Sequence, residues 1–146
     1  MVGSTSPRLG HTAIHAREPE RVAGFYRDLL DLQVVRQTSN PLAGDAVLLS
    51  GDPAREDHEL VFLTNPGGEH IAFRVDTLEQ LRELYTRAKQ RGLQIPYALD
   101  SGVAISFFVR DPEDNAVEIY LARSKPRSEI PPLSSPDEID RLILGN

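Results

Sequence analysis

An α+β fold built from two βαβββ modules is what the sequence predicts, and three observations predict it. Two strand-like runs, Gly10-His11-Thr12-Ala13-Ile14 and Gly68-Glu69-His70-Ile71-Ala72-Phe73-Arg74-Val75, each open on a histidine and lead into an amphipathic helical pattern. Tyr26 and Tyr85 lie 15 residues beyond their histidines, Glu59 and Glu118 lie 48 beyond, and Asp31-Leu32-Gln33-Val34 is echoed by Gly92-Leu93-Gln94-Ile95 two residues out of step. Three further strand-like runs follow each helical pattern. Self-similarity at a fixed offset marks a duplicated unit. The modules are assigned to residues 1–66 and 67–122, followed by an arm with a short helix at 123–146, all within one structural domain.

In the first module, Leu9 to Ala16 is a strand with His11, Ala13 and His15 on one face. Glu18-Pro19-Glu20 starts a helix, because proline loses no hydrogen bond in the first turn and acids suit the positive end of the helix dipole. Val22, Phe25, Tyr26, Leu29 and Leu30 then form one stripe expected to be buried. Strands follow at Leu32–Gln37, Ala46–Ser50 and His58–Thr64, with a polar loop from Thr38 to Gly44 and a break at Asn65-Pro66-Gly67-Gly68.

The second module repeats this grammar. In the strand His70–Val75, alternation gives Ile71, Phe73 and Val75 to the core and sends His70, Ala72 and Arg74 to the other face. Thr77-Leu78-Glu79-Gln80 has the form of a capping box. Leu78, Leu81, Leu84, Tyr85 and Ala88 supply the apolar stripe, and Gly92 ends the helix. Strands are expected at Ile95–Leu99, Ala104–Arg110 and Ala116–Ala122, the last two joined by a turn at Asp111–Asn115. The arm from Ser124 is extended and has no core of its own. Ser135-Pro136-Asp137-Glu138 opens a short helix that is marginal alone and must dock on its own domain or on a neighbouring subunit.

The bulk composition narrows the function. At 146 residues, 40% hydrophobic and 26% charged, the chain can bury a substantial core. Its net charge of −6 and lack of clustered basic residues speak against a nucleic-acid partner. Without cysteine it has neither disulfides nor thiolate chemistry. Met1 to Arg8 lacks the apolar run of a signal peptide, and no stretch is apolar enough for a membrane span, so a cytoplasmic location is expected.

The residues that could do chemistry lie on one strand face. Alternation in Val117-Glu118-Ile119-Tyr120-Leu121 puts Glu118 and Tyr120 on the same open face as His70, and pairing of the modules brings His11 there. Two imidazoles and a carboxylate suit a divalent transition metal with positions left open. The competing reading is that His70 caps its strand while Glu118 pairs with Arg74 or Arg110. Glu59, the counterpart of Glu118, suits a fourth ligand or a catalytic base, although a solvated strand end beside Asp57 and His58 accounts for it equally. His15 and Tyr120 are substrate-contact candidates. Tyr26 and Tyr85 read as core anchors, and His58 is expected to face away if Glu59 faces in.

Three stretches carry a resemblance: Gly10 to Leu30, Gly68 to Val75, and Arg110-Asp111-Pro112-Glu113-Asp114-Asn115-Ala116-Val117-Glu118-Ile119-Tyr120. They resemble the vicinal oxygen chelate superfamily, which includes glyoxalase I, extradiol dioxygenases, fosfomycin and bleomycin resistance proteins, and methylmalonyl-CoA epimerase. The resemblance implies a cup-shaped mixed sheet around a divalent metal held by His11, His70 and Glu118. Fe(II) is expected in the dioxygenase branch, with Ni, Zn or Mn as alternatives, and Glu59 stands near the fourth ligand of the glyoxalase branch. It also implies a small-molecule substrate with adjacent oxygens and a homodimer. Phe108 stands where extradiol enzymes usually carry tyrosine, module two has no further histidine for an acid or base, and Asp114 replaces a common glycine. The function implied is closest to an extradiol dioxygenase, with a glyoxalase-like lyase or isomerase and a non-catalytic drug-binding protein as alternatives.

Overall fold

A computed structural model describes residues 6–128 and 130–145. Met1 to Thr5, most of the stretch inspected above for a leader, lies outside the described residues. The elements run β1 (Arg8–His15), α1 (Pro19–Leu30), β2 (Gln33–Asn40), β3 (Gly44–Ser50), β4 (Leu60–Leu63), β5 (His70–Val75), α2 (Leu78–Gln90), β6 (Ala98–Asp100), β7 (Ala104–Arg110), β8 (Ala116–Ala122) and α3 (Pro136–Leu144). This is the α+β class with the βαβββ order occurring twice. The chain divides into two compact units, one of residues 10–71 and the other of the described residues within 1–9 and 72–146.

In the first unit the strands lie in the order β2-β3-β4-β1, with the head of β5 beside β1. The hairpin partners pair antiparallel, whereas β1 pairs parallel with β4 in the register Thr12↔Leu60 to His15↔Leu63. Alternation gives this sheet two apolar faces. Val47, Leu49 and Phe62 pack with Ala23 of α1, while Ala13, Ala46, Leu48, Val61 and Leu63 cluster on the opposite side, the side that also carries His11. The expected α1 stripe is only partly realised. Ala23 and Pro19 are buried and Tyr26 stacks on Phe62, but Phe25, Leu29 and Leu30 are 58%, 66% and 55% exposed. Helical spacing marks the apolar residues but not the side that is buried, because the side of α1 that meets the sheet is centred on Ala23, which lets the helix approach closely.

Strand boundaries in this unit differ from expectation most at the β2–β3 turn and at the start of β4. Strand β2 continues to Asn40, because the Asn40 side chain accepts the amides of Leu42 and Ala43 and so tightens the expected loop into a hairpin turn. Strand β4 starts at Leu60 rather than His58.

In the second unit the order is β5-β8-β7-β6. Helix α2 begins with the expected reciprocal capping box between Thr77 and Gln80. Its Leu81 and Tyr85 pack with Phe107 of β7 and with Ile139 and Ile143 of α3, so the terminal helix docks on its own unit and completes the core. Tyr85 donates to Asp140, and the Arg82 guanidinium donates to the Ile143 carbonyl at 2.9 Å. Strand β6 starts at Ala98 rather than Ile95, since Pro96 has no amide to pair; Ala98 instead exchanges both backbone bonds with Leu133 of the arm, each 2.8 Å. The Asp111–Asn115 turn accommodates Asp114 at φ +68, with the Asp111 carboxylate accepting the amides of Glu113 and Asn115.

Candidate metal centre

The first unit gathers three histidines. His11 projects from β1, is 6% exposed, and its Nε2 lies 3.2 Å from Nε2 of His70 at the head of β5. Thr12 Oγ1 donates to the His70 carbonyl at 3.3 Å, which ties the two strands together beside the ring pair. His70 Nδ1 faces the Gly68 carbonyl at 2.8 Å. A carbonyl only accepts, so Nδ1 carries the proton and Nε2 of the neutral ring presents its lone pair towards His11. This is how a backbone oxygen orients a metal-ligating imidazole. The chemistry of the donor set therefore fits a divalent transition metal between the two rings.

The third histidine is His58, which alternation sends away from this face if Glu59 faces in. Its ring centroid lies 4.3 Å from that of His11 at a 47° tilt. Because β4 begins only at Leu60, strict alternation does not extend back to position 58. His58 Nδ1 is 2.6 Å from the Asp57 carboxylate, which the Arg36 guanidinium also grips from the other side. The His58 hydrogen bond, with that of Arg36 and both positive charges, outweighs the upward pull of burial and holds the Asp57 carboxyl far below its ordinary range. It is ionised, so it accepts and His58 Nδ1 donates. The sequence signal that could have found this group is the Asp57-His58 pair itself, an acid beside an imidazole just ahead of an apolar strand.

The other first-unit candidates have different surroundings. The Glu59 carboxylate accepts the Gly51 amide at 2.7 Å and lies 3.4 Å from Arg55. His15 is exposed, and its backbone amide donates to Glu69 at 2.7 Å.

In the second unit Glu118 is 7% exposed on β8, directly across from Phe108 in the β7–β8 register. Tyr120 is buried with Ala72 and Ala104, away from the α2 side. Alternation thus ordered these side chains correctly, although the face expected to be open is a buried one. Sequence reasoning passed over Tyr97, whose ring stacks on Phe108 at 4.5 Å. Burial, reinforced by the negative charge of Glu118 and opposed by Arg110, pushes its phenol up to about 12.

Comparison with known proteins agrees with this architecture. Residues 8–119 match the family described as the Glyoxalase/Bleomycin resistance protein/Dioxygenase superfamily, and the chain belongs to it. Among curated proteins it is similar to biphenyl-2,3-diol 1,2-dioxygenase 3 of Rhodococcus globerulus, 27% identical over 81% of this chain and 65% of the relative. A second such dioxygenase of that organism is 26% identical over 97% and 72%. Among solved structures it resembles 2,2′,3-trihydroxybiphenyl 1,2-dioxygenase of Sphingomonas wittichii, with TM-score 0.66 and 20% identity over 78% of this chain and 42% of that one. A methylmalonyl-CoA epimerase superposes with TM-score 0.61 and 17% identity over 84% and 99%. The chain thus spans about two thirds of the first dioxygenase relative and less than half of the solved dioxygenase. Among the described residues, no helix is long and apolar enough to cross a membrane.

Proposed function

We propose that this protein is a divalent-metal-dependent enzyme acting on a small substrate with adjacent oxygens, most like an extradiol ring-cleaving dioxygenase. His11, His70 and Glu118 are the proposed ligands and Fe(II) the proposed ion. The observation that carries the reading is the pair of Nε2 atoms 3.2 Å apart, one of them with its lone pair fixed by the Gly68 carbonyl. Glu118 supports it as a buried carboxylate on the other unit's non-helical face, at the same 48-residue offset from His70 as Glu59 from His11. The dioxygenase names of the curated relatives favour the reaction class.

When bound, the ion supplies Lewis-acid stabilisation of negative charge developing on the substrate's neighbouring oxygens. The protein's own contribution is orientation and exclusion of water. The Gly68 carbonyl keeps the proton on Nδ1 of His70, and the Thr12 hydroxyl steadies the backbone that carries the ring. Glu118 adds the negative charge that a two-imidazole site lacks. Tyr120 and the phenol of Tyr97 are the proposed substrate contacts on the Glu118 side, with Tyr97 offering a protonated donor at neutral pH. Glu59, tied to the Gly51 amide, is better suited to shaping its loop than to moving a proton.

A second reading, proton transfer at carbon, is favoured by one fact: this chain spans 99% of the epimerase, which it also matches in fold. Elemental analysis of protein purified anaerobically tests the metal. Wild type is expected to retain about one divalent ion per chain, and His70→Ala and Glu118→Gln much less. Oxygen uptake with a small aromatic vicinal diol supports the dioxygenase reading. No uptake, with metal present and solvent-deuterium exchange beside a thioester carbonyl, supports the second, and no metal in wild type overturns both.

A further inference from the structure

The Asp57-His58 pair has a geometry that neither metal ligation nor the core requires. His58 packs its ring against His11, donates to Asp57, and Asp57 is in turn clamped by both terminal nitrogens of Arg36. We propose that Arg36, Asp57 and His58 form a brace that fixes the ring of His11, making His58 a positioning residue for the metal site; the inference rests on the reading of His11 as a ligand.

The brace begins with the register of β2. From the turn at Asn40↔Gly44 the pairing with β3 runs unbroken to Arg36↔Leu48, and a β-bulge at Val35 follows it. Leu48 pairs with Val61, and Val61 with Ala13, all on the sheet side that bears His11. Arg36, opposite Leu48, is therefore on that same side and reaches Asp57, and the two-pronged clamp fixes the carboxylate in a plane. The carboxylate fixes His58 through Nδ1, and the His58 ring covers one flank of His11.

The consequence lies in the torsion of His11. Rotation of an imidazole about its last bond exchanges the positions of ring nitrogens and carbons, and only one orientation aims Nε2 at His70. A ring held on one flank cannot sweep through the other orientations, so the ligand pair is preorganised before an ion arrives. Outer partners of this kind change metal affinity by about 10–100-fold.

The test is cobalt(II) titration of the full chain, followed by affinity and by the visible absorption of the bound ion, with thermal unfolding of the metal-free variants as a check on folding. His58→Ala is expected to weaken cobalt(II) binding by about 10–100-fold and to alter the absorption band. His58→Phe, which keeps a flat ring against His11, is expected to recover most of the affinity. Asp57→Asn is expected to weaken binding in the wild-type background but to have no further effect in the His58→Phe background, the signature of two residues acting in series. Wild-type affinity and an unchanged band in both His58→Ala and Asp57→Asn overturn the brace while leaving the ligand assignment intact. Failure of wild type to bind cobalt(II) overturns the ligand assignment, and the brace with it.

Discussion

Helices α1 and α2 come from the same position in the repeat and carry the same kind of apolar stripe, yet they end in opposite environments. Leu81 and Tyr85 of α2 are sealed beneath Ile139 and Ile143 of α3, whereas Phe25, Leu29 and Leu30 of α1 face outward. The helix ends differ as well. Helix α2 has a complete capping box and finishes before Gly92 at φ +72, while α1 begins at Glu18 without a side-chain cap and finishes at Asp31 at φ +60. The second unit thus has the stronger local signals and the third helix as a cover. The first unit has the histidines. The two units share a frame in which one holds the covered helix and the other the clustered imidazoles.

The largest test of that contrast is core truncation. Ile143→Ala is expected to cost about 2–5 kcal/mol in urea unfolding, and Leu29→Ala within about 0.5 kcal/mol. Equal losses would mean that the outer face of α1 is covered in solution and the contrast fails.

Next in size is the acid limb of stability. Burial pushes the Asp100 carboxyl up, but hydrogen bonds from Arg123 and the Gly102 amide, with the charges of Arg123 and Arg127, outweigh it and hold the group below its ordinary range. A carboxyl lowered on folding stabilises the native state above the unfolded value of about 3.9, and that contribution fades as pH falls from there towards the folded value. Urea midpoints followed from about pH 7 to about pH 3 should therefore drop less steeply in Asp100→Asn than in wild type. Parallel curves would remove Asp100 from the second unit's advantage.

The smallest effects sharpen the comparison at the helix ends. Thr77→Ala should cost about 1 kcal/mol, and Glu18→Ala, with no cap bond to lose, clearly less. Gly92 has open space around a would-be Cβ, so Gly92→Ala should cost about 1 kcal/mol from backbone conformation alone. Asp31→Gly should be neutral or gain less than about 1 kcal/mol. Thermal or urea midpoints of the four variants measure these differences. A stabilising Gly92→Ala would contradict the account.

Much of this was legible in the chain. Strands β5, β7 and β8 fall at the expected residues because alternation is uninterrupted there and turns bound them. The echo of Asp31-Leu32-Gln33 in Gly92-Leu93-Gln94 is now physical: both leading residues occupy the left-handed region after a helix. The pairing of His11 with His70 follows from one histidine within β1 and another at the head of the neighbouring β5. What periodicity could not deliver is whatever breaks periodicity. The bulge at Val35 offsets Gln33 and Val34 from the register of the rest of β2, and the late start of β4 releases His58 to turn inward. Likewise, Tyr97 precedes β6 and reaches Phe108 across the hairpin, outside any alternating run. Helical spacing also gave no hint that α3 would cover α2 and leave α1 bare, since an apolar stripe says that something is to be buried and not by what.

The parallel pairing of β1 with β4 sets an order of assembly. The β2–β3 and β3–β4 hairpins join residues close in the chain, while β1 must wait for a partner that lies beyond both of them. Closing the longer loop costs more entropy, so the hairpins gain structure first and β1 docks onto a preformed edge. A nascent chain that has not yet emitted β5 lacks His70 altogether. The facing imidazoles are therefore among the last features of their unit to mature, and their meeting marks a finished fold.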